Sequence, residues 1–141
     1  MRVLHLTTEF PPVIYGGLGT AVGALVAASA GTGIEVAVLL VGTGGDPSYR
    51  QPAETRRSSE DPALTECRAA GIHVRPTSHH AAEEMGVRWV QAWRPDVLHL
   101  HSFWLWPVAR AIRERTGVPL VYTVHSLDRA EYEIGQGPPN A

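Results

Sequence analysis

Apolar and polar positions alternate in blocks along the chain. Short apolar, β-prone runs at 3–7, 34–41, 72–74, 97–101 and 118–124 read as strands. Between them lie stretches in which apolar residues recur at helical spacing. Leu18, Val22, Leu25, Val26 and Ser29 share one face over 18–30, and Met85, Trp89 and Val90 share one over 81–93. Val108, Ala109 and Ile112 point inward over 104–115. Asp61-Pro62 opens a further helix over 61–70, the acid as cap and the proline in the first turn. Glycines 31, 33, 71 and 117 and the Arg94-Pro95 pair punctuate these segments. The run 34–41, broken only by Glu35, suits a strand buried on both faces of a parallel sheet. Strands alternating with helices predict an α/β fold, a doubly wound Rossmann-like parallel sheet with right-handed crossovers. The polar stretch 42–60 reads as a long surface loop, and 135–141 as a flexible tail after one domain spanning 1–134.

Such a sheet binds ligands at the carboxyl ends of its strands, near the point where strand order reverses. Glu9, the Gly16-Gly17 loop, His101 and His125 all fall at or just after predicted strand ends, so they are expected on one rim. The segment from Thr8 to Gly19 is the richest. Two prolines, Pro11 and Pro12, hold it extended, and the paired glycines permit close approach. It then opens a helix, whose first amides and partial positive charge form an anion socket. Gly17, Gly19 and Gly23 also have the spacing of a dinucleotide fingerprint. That fingerprint should open directly after the strand, whereas here a Pro-Pro loop intervenes and the second strand lacks a ribose-binding acid at its end.

His99 and His101, two apart on a strand, share a face. With His125 they offer imidazoles to a metal, but the spacing supplies no further ligand, so no metal site is expected. His125 closes an apolar strand and can donate to a sugar hydroxyl or to developing charge. His79 and His80 read as solvated loop residues. Phe103, Trp104 and Trp106 open a helix beside the same rim, as core residues or as a stacking or partner surface.

Composition narrows the classes. The chain has 141 residues, 44% of them hydrophobic, enough for one ordinary domain core. A net charge of -2 gives no basic footprint for nucleic acid. The single cysteine, Cys67, excludes an internal disulfide. The N-terminal apolar run meets Glu9 and Pro11 too soon for a signal peptide, and no transmembrane segment is apparent, so a cytoplasmic location is expected.

Four segments in order carry a resemblance: Glu9-Phe10-Pro11-Pro12; Tyr15-Gly16-Gly17-Leu18; Arg94-Pro95-Asp96-Val97-Leu98-His99-Leu100-His101-Ser102-Phe103-Trp104; and Pro119-Leu120-Val121-Tyr122-Thr123-Val124-His125-Ser126. Together they resemble the N-terminal half of GT-B glycosyltransferases, in the family 4 and glycogen/starch synthase group. The resemblance implies a retaining enzyme that moves a sugar from a nucleotide-sugar donor, held between two Rossmann-like domains, to a hydroxyl acceptor. It implies that the amides of Gly16, Gly17 and Leu18 meet the donor diphosphate and that His125 lies at the donor sugar. Glu9, Tyr15, His101, Ser102 and Ser126 fall on the acceptor and substrate side. It further implies no cofactor and no bound metal, the nucleotide sugar being a substrate. Tyr15 stands where glycogen and starch synthases carry a lysine, which favours a smaller acceptor. The C-terminal domain, with its E-x7-E pair and most donor contacts, is not found in this sequence, so the chain alone is expected to be inactive. The alternative is a non-catalytic Rossmann-like module that binds a phosphate ligand or a partner.

Overall fold

The computed structural model describes residues 1–11, 13–14, 16–42 and 71–125. The predicted helix at 61–70 with Cys67, the segment 43–60, Tyr15, Ser126 and the tail lie outside the described residues. In chain order the elements are β1 (Arg2–Thr7), α1 (Gly17–Gly31), β2 (Glu35–Gly42), β3 (His73–Ser78), α2 (His79–Trp93), β4 (Val97–Leu100), a 3-10 turn (Phe103–Leu105), α3 (Trp106–Thr116) and β5 (Leu120–Tyr122).

Among the described residues five strands form one parallel sheet in the order β3-β2-β1-β4-β5. The chain runs outward from β1 to β3, then returns to place β4 on the other side of β1. The order therefore reverses between β1 and β4, which is where such sheets open a crevice. Alternation along β1 divides the core. Leu4 and Leu6 pack with Leu39, Leu98 and Leu100 against Ala82, Val90 of α2 and Ala109, Ile112 of α3. Val3 faces the other way and packs with Val36, Val38 and Phe10 against Val22 and Val26 of α1. Both faces of the central strands are thus covered, as the continuous apolar runs require.

Differences from the pattern have local causes. β3 continues to Ser78, through Arg75 and Pro76, because it is an edge strand on which polar side chains and a missing N–H are tolerated. Ser78 then caps α2, its hydroxyl accepting from the Ala81 amide at 3.3 Å. His79 and His80 are therefore the first residues of α2 and not a loop, though both are exposed. The predicted helix at 104–115 divides into the 3-10 turn and α3, with Pro107 in the first turn of α3, where no N–H is needed. Leu25 lies off the buried stripe of α1 and is 40% exposed. Gly86 lets α2 and α3 approach: a Cβ there would stand 2.3 Å from Ile112 Cδ1. No helix among the described residues is long and apolar enough to cross a membrane.

Candidate functional site

The rim at the strand-order reversal is built from three strand ends. After β1 the chain turns immediately. The Thr7 hydroxyl donates to the Glu9 carbonyl at 2.9 Å and accepts from the Glu9 amide at 3.3 Å. Phe10 and Val13 then close a tight two-way backbone bridge at 3.0 and 2.7 Å, with the Phe10 ring fully buried under α1. This turn aims Glu9 back at the start of α1. One carboxylate oxygen, Oε2, accepts from the Gly16 amide at 3.2 Å and from the Gly19 amide at 3.0 Å. The anion socket predicted at this helix start therefore already holds one carboxylate, supplied by the chain. A charge-assisted pair of bonds at a helix N-terminus is favourable both as hydrogen bonding and by the helix dipole.

The glycines divide by what surrounds them. A Cβ on Gly19 would meet Ile14 Cγ1 at 2.9 Å and Glu9 at 3.2 Å, and one on Gly23 would meet Pro11 at 2.7 Å. Those two glycines serve internal packing, which accounts for the fingerprint-like spacing without a dinucleotide. A Cβ on Gly16 or Gly17 would meet nothing within 4 Å among the described residues. Gly16 has an extended backbone, so no dihedral constraint demands glycine there either. Both residues are exposed, and Leu18 is half-buried. Among the described residues, side-chain space at Gly16 and Gly17 is thus unfilled, while the Gly16 and Gly19 amides are taken by Glu9.

β4 delivers His101 and Ser102 across the reversal point. The His101 amide donates to the Leu6 carbonyl at 3.0 Å, holding the segment against β1 beyond the end of the ladder. The Thr8 hydroxyl donates to Ser102 Oγ at 3.1 Å, bridging the two strand ends. His101 and Ser102 are both buried. β5 brings His125 in: its Nε2 lies 3.2 Å from His101 Nδ1. Nε2 of His101 lies in turn 2.9 Å from Nδ1 of His5. The ring centroids are 5.1 Å apart in the first pair, His5–His101, and 5.5 Å in the second. Those are the separations of rings joined edge to edge, so both contacts are in-plane hydrogen bonds. His99, in register with His5, bonds Thr123 Oγ1 through Nε2 at 2.7 Å, and its ring lies 4.0 Å from that of His101.

Burial sets the charge of this cluster. His5, only 2% exposed, is pushed down to about 4 by loss of solvent, with a smaller repulsion from His99. His101 is pushed down to about 2 by burial and then by repulsion from His99, His5 and His125. His99 is lowered by burial first and by His125 second. These three are neutral imidazoles at neutral pH. Ring nitrogens of His5, His99 and His101 lie within 4.8 Å of one another, a grouping that a metal ion can use. Here they are engaged with one another and with Thr123.

The structure thus brings together Glu9 with Gly16, and His101 with His125, while Tyr15 and Ser126 lie outside the described residues. Sequence reasoning missed His5. The one signal was a polar residue inside the apolar first strand, and only the register between β1 and β4 shows that it faces His99 and His101. Phe103, Trp104 and Trp106 are exposed by 57%, 73% and 43% beside Ser102, an aromatic surface and not core.

Comparison with known proteins agrees with this architecture. The profile of the glycosyl transferase 4-like domain matches residues 16–141, and the chain belongs to that family. Two curated relatives, both named glycogen synthase, come from Mycobacterium tuberculosis strains CDC 1551 / Oshkosh and ATCC 25618 / H37Rv. Each is 30% identical over 145 residues, covering 94% of this chain and 35% of the relative. The chain therefore spans about a third of the length of the curated relatives it matches. Among solved structures, an AMP-bound universal stress protein family protein from Arabidopsis thaliana shares the fold. Its TM-score is 0.51 at 13% identity, covering 92% of this chain and 94% of that one.

Proposed function

We propose that this chain is the acceptor-side, N-terminal part of a retaining glycosyltransferase that moves a sugar from a nucleotide-sugar donor to a hydroxyl acceptor. The observation that carries the reading is the joint placement, past the carboxyl ends of β1, β4 and β5, of the exposed glycines Gly16 and Gly17 and of the His101–His125 pair, in a chain of this family. In this reading the amides of Gly17 and Leu18 receive the donor diphosphate and complement the charge that grows on it as the glycosidic bond breaks; the Gly16 amide, expected to join them, is engaged by Glu9 Oε2 instead. His125 meets the donor sugar at the carboxyl end of β5. Glu9, His101 and Ser102 line the acceptor side, with Tyr15 and Ser126 contributing from adjacent positions. A second domain, which supplies the remaining donor contacts, closes over this rim, and the chain alone turns over little. No cofactor or resident metal is needed, because amides and cationic groups balance the diphosphate, and the setting is the cytoplasm.

Two acceptor classes compete. Tyr15, in place of a lysine, favours a small hydroxyl acceptor, whereas the curated relatives bear the name glycogen synthase. Incubating the complete gene product with nucleotide glucoses, and with glycogen or small glycosyl acceptors in parallel, separates them. Proton NMR of the product then reads the anomeric configuration. Retention at the transferred carbon is expected, and inversion would overturn the mechanism assigned. Absence of transfer with any donor, alongside tight binding of a phosphate ligand by the chain alone, would favour the second reading. That reading is a stand-alone binding module, for which the AMP-bound fold neighbour of similar length is a precedent in architecture.

A further inference from the structure

The three histidines His5, His101 and His125 form a line in which His101 uses both ring nitrogens at once. A neutral imidazole has one N–H and one bare nitrogen. His101 must therefore accept on one side and donate on the other, and the whole line has a direction. Two directions satisfy both bonds. In one, His125 Nε2–H donates to His101, His101 donates to His5, and His5 is left carrying a proton on Nε2. In the other, His5 Nδ1–H donates to His101 Nε2, His101 Nδ1–H donates to His125 Nε2, and His125 carries its proton on Nδ1.

The interior end of the line decides between them. Among the described residues, His5 Nε2 is buried and has no hydrogen-bond partner. The first direction would seal an N–H donor there without an acceptor; the second leaves only a bare acceptor nitrogen. A buried unpaired donor is the rarer defect in folded proteins. A third arrangement, with a charged His101 donating both ways, is opposed by its burial and by the neighbouring imidazoles.

We propose that His5 and His101 are positioning residues that hold His125 in the tautomer with its proton on Nδ1, so that His125 meets its ligand as a hydrogen-bond donor and not as a base. The tautomer of one ring nitrogen is set by the bond the other makes, and here the control extends through two buried rings to the inside of β1. The kinetic consequence rests on the transferase reading; the tautomer itself does not. A donor fixed in place suits a sugar hydroxyl or an oxygen gaining negative charge.

Nitrogen-15 NMR of the histidine-labelled chain at neutral pH tests this without any substrate. The expected result is a proton on Nδ1 and a bare Nε2 for both His5 and His125, with scalar coupling across the two N–H···N bonds. A proton on His125 Nε2, or no coupling from His101 to either neighbour, would overturn the proposal. In His5→Phe, which removes the donor, His125 is expected to redistribute between tautomers. His5→Asn, which keeps a donor near the Nδ1 position, is expected to restore the Nδ1–H form. An unaltered His125 spectrum in a folded His5→Phe chain would also overturn it. If His5→Phe does not fold, the coupling measured in the native chain still decides. In the complete gene product, His5→Phe is expected to lower kcat roughly 10- to 100-fold, with KM for the donor changed less and partial rescue by His5→Asn. If the gene product transfers no sugar, the transferase reading fails while the NMR result stands on its own.

Discussion

Acidification is the perturbation to which this fold is most exposed. His5 and His101 are buried, with values held down to about 4 and about 2, against 6.5 for an ordinary histidine. As pH falls below 6.5 the unfolded chain takes up protons at these two positions and the folded chain does not. The unfolded state then binds more protons, so stability falls with falling pH. For each histidine the loss between pH 7.5 and 5 is about 2 kcal/mol, together about 4 kcal/mol. His99, also lowered, adds to the same trend. A domain of this size has a margin of roughly 5–15 kcal/mol, so a large part of it is consumed between neutrality and pH 4. Urea unfolding followed by circular dichroism at half-unit steps from pH 7.5 to 5 measures the slope. About half of it should disappear in His5→Phe, which leaves one of the two dominant groups. A stability that does not change between pH 6.5 and 5 would refute the reasoning, because the imidazoles would then be charging in the folded state.

Other expectations follow from the start of α1 and from the interior. Glu9→Ala removes the acceptor shared by Gly16 and Gly19 and should cost about 1–2 kcal/mol in urea unfolding, with Glu9→Gln costing less. Gly17→Ala should be neutral or stabilise by up to ~1 kcal/mol, since its Cβ meets nothing among the described residues, yet weaken nucleotide-sugar binding in calorimetry of the complete gene product. Equal binding by that variant would remove Gly17 from the donor site. Ile112→Ala, which empties fully buried space between α2, α3 and the sheet, should cost about 2–5 kcal/mol in the same unfolding assay.

Much of the fold was legible because burial on two faces writes itself as unbroken apolar runs. β2 (Glu35–Gly42) and β4 follow directly from that rule. The convergence of residues 9, 16, 101 and 125 on one rim was legible for the same reason: in a parallel sheet, strand ends are known once strands are. Interactions that depend on register or loop path were not. Nothing in the spacing of Glu9 and Gly19 shows that the carboxylate turns back to cap the helix, since that depends on the Phe10–Val13 bridge. His5 was hidden because parity places it on a face but not opposite a particular neighbour. The apolar pattern ends β3 at Val74, because Arg75 and Pro76 look like a loop unless the strand is known to be at an edge.

The central claim is that sugar transfer takes place at this rim, with His125 against the donor sugar. The most direct measurement is kcat for transfer by the complete gene product with His125→Ala beside the native protein, each checked for an unchanged fold. A fall of roughly 100-fold or more is expected, the scale of a lost hydrogen-bond donor to developing charge. Turnover equal to that of the native protein would contradict it.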